Sequence, residues 1–382
     1  MVCACFHRAR SNSQAKYRIA PAFPSSIQTP PIVKHALIGV AVSHISHLGS
    51  VVTLYVLVQR IIQSNPTVKR RIAFTTACLH IISPAGLFLS SPYGESTFAF
   101  TAFLGLLCYI RALDHDYKSA DPSALTSAAW TVLSGFFFAL SILIRSNGLL
   151  HGTIFLVDAF LNIHGHLISC KPLRLARITR LLSVIIAGSL IAFAFALPQA
   201  IAYAEFCTAS DSRLWCTRTI PSIYSWVQKE YWNVGFLSYW TPGNIPLFLL
   251  AAPTLVVLSA TALSATFQPD QMLASISGST RQSIPAADAA FFRHVALQLA
   301  IPQLILAVMA LTSFHVQIIN RISSGCALWY LVLAIAVDDC SPSGFEGGGG
   351  LLRGGRTAIV VKMMAAYAIV QGGLYASFLP PA

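Results

Sequence analysis

Three short stretches bring ionisable and hydrogen-bonding residues to the ends of long apolar runs: SPYGES at 91–96, RSNG at 145–148 and HVQIINR at 315–321. In the first, Tyr93 and Glu95 follow Pro92, where a helix must stop and its last carbonyls lose their helical partners. The stretch reads either as a turn between two helices or as a polar cluster at the mouth of a cavity, with Glu95 orienting a sugar or a basic group. In the second, Arg145 stands between two apolar runs, beside Asn147. A guanidinium at membrane depth is costly, so it either snorkels to the interface or faces a cavity. In a cavity it suits a phosphate, which its planar fork holds through two parallel hydrogen bonds. The third stretch offers His315, Gln317, Asn320 and Arg321. It reads as an interfacial histidine with a satisfied ring or, beside Arg321, as a second contact for a phosphate or a leaving group.

A fourth stretch, IPSIYSWVQKEYWNVGFLSYWT at 220–241, holds seven aromatics, Tyr224, Trp226, Tyr231, Trp232, Phe236, Tyr239 and Trp240, interleaved with Gln228, Lys229, Glu230 and Asn233. Tyrosine and tryptophan belong where one end of the ring is dry and the other wet, so the segment is expected to lie along a membrane interface. A plain aromatic belt needs no function. The same pattern also describes a sugar-binding surface, with Tyr224, Tyr231 and Trp232 stacking on C–H faces while Gln228 and Asn233 read hydroxyls.

The elements that must position these residues follow from composition. Of 382 residues, 55% are hydrophobic and only 10% charged, against about a quarter charged in soluble domains. The chain reads as an all-α, multi-pass membrane protein, because backbone in hydrocarbon must close its own hydrogen bonds. Apolar runs and breakers give about ten candidate spans: 34–62, 72–91, 94–111, 127–144, 147–163, 181–204, 246–266, 292–312, 322–338 and 357–379. Residues 1–33 are polar, are punctuated by Pro21, Pro24, Pro30 and Pro31, and lack the apolar core of a cleavable signal peptide. They form an atypical segment ahead of a polytopic domain at 34–382, whose connecting aromatic loop spans 205–245. The net charge of +12 lies in short loops rather than on a basic face, which argues against nucleic acid. No zinc-spaced His and Cys cluster and no GxxxxGK[ST] motif occurs, and GGGG at 347–350 reads as a flexible loop.

Lysine and arginine in short loops fix orientation. Lys69, Arg70 and Arg71, then Arg111 and Lys118, then Lys171, Arg174, Arg177 and Arg180, then Arg281, then Arg353 and Arg356 fall on alternate loops, which are expected to be cytoplasmic. All four stretches above then share the opposite face. Cys207 and Cys216 are the only cysteines in the loops of that face, which points to a disulfide, with two free thiols as the other reading.

Together SPAGLFLSSPYGESTFAF (83–100), RSNG, WCTRTIPSIYSWVQKEYWNVGFLSYWTPGNIPLFLLAAP (215–253) and FHVQIINR (314–321) closely resemble the GPI mannosyltransferase 2 family, which adds the second mannose during glycosylphosphatidylinositol assembly. The resemblance runs from about residue 35 to the C-terminus. It implies a GT-C type fold in the endoplasmic reticulum membrane, dolichyl-phosphate mannose as donor, a mannosyl-glucosaminyl-phosphatidylinositol lipid as acceptor, an α-1,6 bond, and no cofactor. A small membrane partner subunit is a further expectation. A β-linked donor giving an α product implies inversion by single displacement, with a carboxylate taking the acceptor's proton. Family members are expected to carry that carboxylate in a lumenal loop, in a context like RWDA, after a further N-terminal span. Neither is found in this sequence, so a truncated or mis-spliced start is expected, the chain as written is expected to lack the family's activity, the catalytic base is unassigned, and Glu95 is the first candidate. A non-catalytic membrane scaffold and a lipid-linked-sugar transporter are the competing readings.

Overall fold

The computed structural model describes residues 31–118, 124–169, 175–208, 213–277, 285–339 and 355–377. Most of the segment 1–33, the glycine run at 347–350 and Asp211 lie outside them. Regular structure among the described residues is helical throughout: α1 (Pro31–Ile61), α2 (Pro66–Ile81), α3 (Gly86–Ser90), α4 (Glu95–Lys118), α5 (Ala124–Ile144), α6 (Gly152–Ser169), α7 (Leu175–Phe206), α8 (Ile223–Glu230), α9 (Ile245–Phe267), α10 (Pro269–Ser277), α11 (Ala286–Thr312), α12 (Ile319–Ile322), α13 (Ala327–Asp339) and α14 (Gly355–Ala376).

Seven of the helical stretches, Ile32–Ile61, Glu95–Tyr117, Ala124–Ile144, Leu175–Phe206, Pro242–Phe267, Ala286–Thr312 and Thr357–Leu374, are long and apolar enough to cross a membrane. An eighth is reached if Val316–Gly325 and Ala327–Asp338, bent by 78° at Cys326, count as one broken span. That is fewer than the ten apolar runs, and the reasons are local. The 72–91 run is cut by Ser83-Pro84-Ala85-Gly86 into α2, of 16 residues, and α3, of five. The Asn65 side chain accepts the Thr67 N–H at 2.9 Å and starts α2 early enough to place Lys69, Arg70 and Arg71 inside it, which leaves it a short apolar part. The 147–163 run begins as a 3-10 turn over Ser146–His151 before α6 takes over.

Helix α4 is the hub. It packs against α1 and α5, and α5 against α7, while α9 pairs with α11 and α2 with α13. Burial within the bundle covers 72% of the α4 span but 17% of the α14 span, so α4 is enclosed by protein and α14 is largely uncovered by the described residues. Close approach of α5 and α7 depends on Gly135, where a Cβ would come within 2.6 Å of the Ala187 backbone. Pro198, Pro253 and Pro302 sit inside α7, α9 and α11, as membrane helices permit when neighbours absorb the freed carbonyls.

Described basic residues from several elements gather at one end of the bundle. There Arg60 pairs with Asp114 at 3.7 Å, the Ser64 hydroxyl donates to the Ile276 carbonyl at 3.2 Å, and Arg71 donates to Asp338 at 2.8 Å. Arg180, at the start of α7, binds Asp158 at 2.5 Å and Asp116 at 3.3 Å. The four polar stretches meet at the opposite end.

Candidate active site

Glu95 is the first residue of α4 and is fully buried. Its Oε1 accepts a hydrogen bond from Arg145 Nη1 at 2.5 Å and two from Arg321, Nε at 2.9 Å and Nη2 at 2.6 Å. One carboxylate oxygen thus holds two guanidiniums, brought from the N-cap of the 3-10 turn after α5 and from α12. Oε2 is buried and has no hydrogen-bond partner among the described residues. Arg321 also lies over the Phe88 ring at 4.3 Å and the Tyr93 ring at 5.1 Å, so α3 and the Pro92 turn supply a cation–π floor that fixes its plane. Both arginine side chains are partly exposed, by 22% for Arg145 and 15% for Arg321. Burial pulls the Arg145 guanidinium below its ordinary pKa, and the adjacent Glu95 opposes that shift.

The local chain path explains the meeting. Gly325 is packed so tightly against the Phe98 ring that a Cβ there would overlap it, which lets the broken helix lean on α4 and bring Arg321 over Glu95. Asn320, next in sequence, accepts the Thr254 hydroxyl at 2.5 Å and donates to the Tyr367 hydroxyl at 2.7 Å, tying the same turn to α9 and α14. On the α5 side Ser146 and Tyr224 share a hydrogen bond of 2.8 Å, and Gln199 Oε1 accepts from Ser222 Oγ and from the Tyr224 N–H, both at 3.1 Å. These contacts lodge the start of the amphipathic helix α8 beside Arg145.

The aromatic segment is anchored along the same face. The Tyr239 hydroxyl donates to Gln317 Oε1 at 3.0 Å and its ring stacks on His315 with centroids 4.6 Å apart. Trp240 Nε1 donates to the Leu311 carbonyl at 2.8 Å, and the Leu237 N–H to the Thr312 carbonyl at 2.6 Å. The last contact pins Leu237 at φ 56°, a left-handed conformation that L side chains seldom adopt. Cys207 and Cys216 are joined in a disulfide with Cα atoms 5.5 Å apart at the base of this segment.

The structure therefore brings Tyr93, Glu95, Arg145 and Arg321 into one cluster, with Tyr224 at its edge through Ser146. It changes several individual expectations. Arg145 is not a lone cation awaiting phosphate, because Glu95 holds it. His315 does not present its Nε2 proton to a ligand: Nε2 donates to the Trp232 carbonyl at 2.6 Å, since a carbonyl can only accept. Gln317 is engaged by Tyr239, and Asn147 lines a small cavity of about 30 Å³ with Leu150, Leu299 and Leu306 rather than the arginine pair. Tyr231 and Trp232 are exposed, Asn233 turns the chain at φ 47°, and Gln228 is only half-buried, so these four lie along the outer rim. Phe88, Ser146 and Gln199 were not singled out by sequence, although Gln199, a polar amide directly after an intrahelical proline, carried a signal. Among the described residues no three His, Cys, Asp or Glu side chains cluster in a way that could hold a metal ion.

Fold and site together define a multi-pass helical membrane protein with a candidate site, at one end of the bundle, in which an arginine pair shares one buried carboxylate. Residues 26–382 match the family described as Mannosyltransferase (PIG-V), and the chain belongs to that family. Among its relatives are GPI mannosyltransferase 2 of Gibberella zeae, 38% identical over 91% of this chain and 75% of the relative. Those of Aspergillus oryzae (40% identical, 91% and 74%) and Candida albicans (30% identical, 91% and 74%) are similar over the same extent. No solved structure matches the chain.

Proposed function

We propose that this chain is a glycosyltransferase adding the second mannose in GPI-anchor biosynthesis. It takes the sugar from dolichyl-phosphate mannose and places it, in α-1,6 linkage, on the mannosyl-glucosaminyl-phosphatidylinositol intermediate. The observation that carries the site assignment is the pair of partly exposed arginine side chains converging on Glu95, at the end of the bundle where the polar stretches meet. In the reaction, the acceptor hydroxyl oxygen bonds to C1 of mannose and the bond from C1 to the phosphate oxygen breaks. The electron pair stays on the departing lipid phosphate, and the hydroxyl proton passes to a base, for which the family resemblance points to a carboxylate in a lumenal loop. Fixed cations in a water-poor site stabilise the charge that develops on the leaving phosphate. Glu95 is poorly placed to be that base, because three N–H donors already occupy one of its oxygens and the other is buried.

The endoplasmic reticulum membrane is the proposed location, with the site facing the lumen. The basic residues at the opposite end support that orientation under the positive-inside tendency, and a disulfide on the site face suits an oxidising compartment. A GT-C type arrangement of the helices and a small partner subunit complete the proposal. A transporter needs polar access from two sides, whereas among the described residues Arg60, Arg71 and Arg180 at the far end are held by Asp114, Asp338 and Asp158. The test is an assay in membranes containing the chain, with radiolabelled dolichyl-phosphate mannose and the one-mannose acceptor lipid. A two-mannose lipid sensitive to an α-1,6-specific mannosidase is expected. Movement of the donor across sealed vesicles without any transfer would replace this reading with the transporter.

A further inference from the structure

We infer that Glu95 is a positioning residue that sets the net charge of the phosphate site at +1, and so allows the product lipid phosphate to leave. The inference rests on the mannosyl-transfer reading above and specifies what the buried carboxylate contributes to it. Two guanidiniums and one carboxylate leave a single positive charge, at a site with no other carboxylate hydrogen-bonded or ion-paired to Arg145 or Arg321 among the described residues. The donor is a phosphodiester and carries one negative charge, which this site neutralises. Once the C1–O bond has broken, the leaving group is a phosphate monoester of about −1.5 to −2 at neutral pH. The site therefore gains attraction as the bond breaks without matching the full charge of the product.

The geometry fits this role better than a structural ion pair would. A fork-to-fork salt bridge would occupy both carboxylate oxygens and a whole guanidinium edge. Here a single oxygen takes all three donors, one whole edge of Arg321 and a single N–H of Arg145, and the second oxygen takes none among the described residues. Arg145 gives only Nη1, and Arg321 gives Nε and Nη2, out of the five N–H groups each guanidinium owns. The remaining edges are left for a ligand, and the Phe88 and Tyr93 rings hold Arg321 in plane while it binds. Glu95 itself cannot reach a substrate, because it is fully buried at the first turn of α4. It acts through the arginines.

The test is inhibition of transfer by dolichyl phosphate, the product, in membranes with the level of each variant measured by immunoblot. Glu95→Gln keeps the shape and an acceptor oxygen but raises the site to +2. Dolichyl phosphate should then inhibit on the order of tenfold more tightly, the scale of one unit charge seen through partly screened surroundings, with kcat falling more than KM for the donor. Arg145→Gln should move inhibition the opposite way, to weaker binding. The double variant Glu95→Gln with Arg145→Gln restores +1 and should return the inhibition constant to within about threefold of the parent. That double variant also decides the question if Glu95→Gln alone does not accumulate. Inhibition by dolichyl phosphate that is unchanged or weaker in Glu95→Gln, or no recovery in the double variant, would overturn the charge-setting role while leaving mannosyl transfer intact. Absence of transfer in the parent would instead remove the reading on which the inference rests.

Discussion

Arg321 lies 226 residues from Glu95 in sequence, yet gives two N–H groups to the same carboxylate oxygen, at 2.6 and 2.9 Å. A contact of that sequence separation, inside a span bent by 78°, couples the broken helix to the first turn of the hub helix α4. Lysine cannot reproduce it, since an ammonium lacks both the fork and the flat face that rests on Phe88. Arg321→Lys should therefore lower mannosyl transfer strongly while protein abundance changes less. Transfer rates per unit of immunoblotted protein check this, and parental rates in Arg321→Lys would show that only charge matters at that position.

Arg145→Ala should cost about 2 kcal/mol or more in transition-state stabilisation, read as kcat/KM for the donor. Glu95→Ala should behave differently. It leaves two like charges facing each other in a buried site, and removing one partner of a buried ion pair costs about 3–5 kcal/mol. Loss of abundance in Glu95→Ala, against loss of turnover in Arg145→Ala, is the expected contrast, measurable by pulse-chase and by assay of the surviving protein.

Two ion pairs at the basic end of the bundle also predict a contrast in stability. Arg180 is buried, bonded to Asp158 at 2.5 Å and to the Thr131 hydroxyl at 2.7 Å, whereas Arg293 and Asp270 form an exposed pair. Arg180→Ala should lower thermal stability in detergent far more than Arg293→Ala, because exposed pairs contribute only about 0–1 kcal/mol. Equal shifts in the two variants would mean that the Asp158 network is solvated.

Much of this was legible in the sequence. Loop charges and apolar runs placed the four polar stretches on one face, because hydrocarbon leaves a helix few alternatives and every crossing reverses the side. What sequence could not supply was pairing across the bundle. Glu95 reads as a residue that could orient a basic group, but nothing local shows that the basic groups are Arg145 and Arg321 or that one carboxylate oxygen will serve both. For His315 the reading as an interfacial histidine with a satisfied ring agrees with the structure, but its partner, the backbone carbonyl of Trp232, has no signature in a sequence. The long-helix count falls below ten partly at α2 and α6, where Pro84 and the RSNG turn shorten helices that still run between the two ends of the bundle.

The membrane orientation leads to a paired labelling prediction. Leu175 is exposed at the start of α7, at the basic end of the bundle, and Lys229 is exposed on α8, at the site end. In sealed microsomes, a cysteine at position 175 should react with a membrane-impermeant maleimide added from the cytoplasmic side. One at position 229 should react only after permeabilisation. The parent, whose Cys78, Cys108 and Cys326 are free thiols among the described residues, provides the background, and Cys207 with Cys216 should stay unreactive until reduced. The arginine pair must share a compartment with the acceptor sugar, so the result bears on mechanism as well as topology. Reversed accessibility at both positions would put the site in the cytoplasm, where a disulfide seldom persists, and would remove the basis for a lumenal transfer.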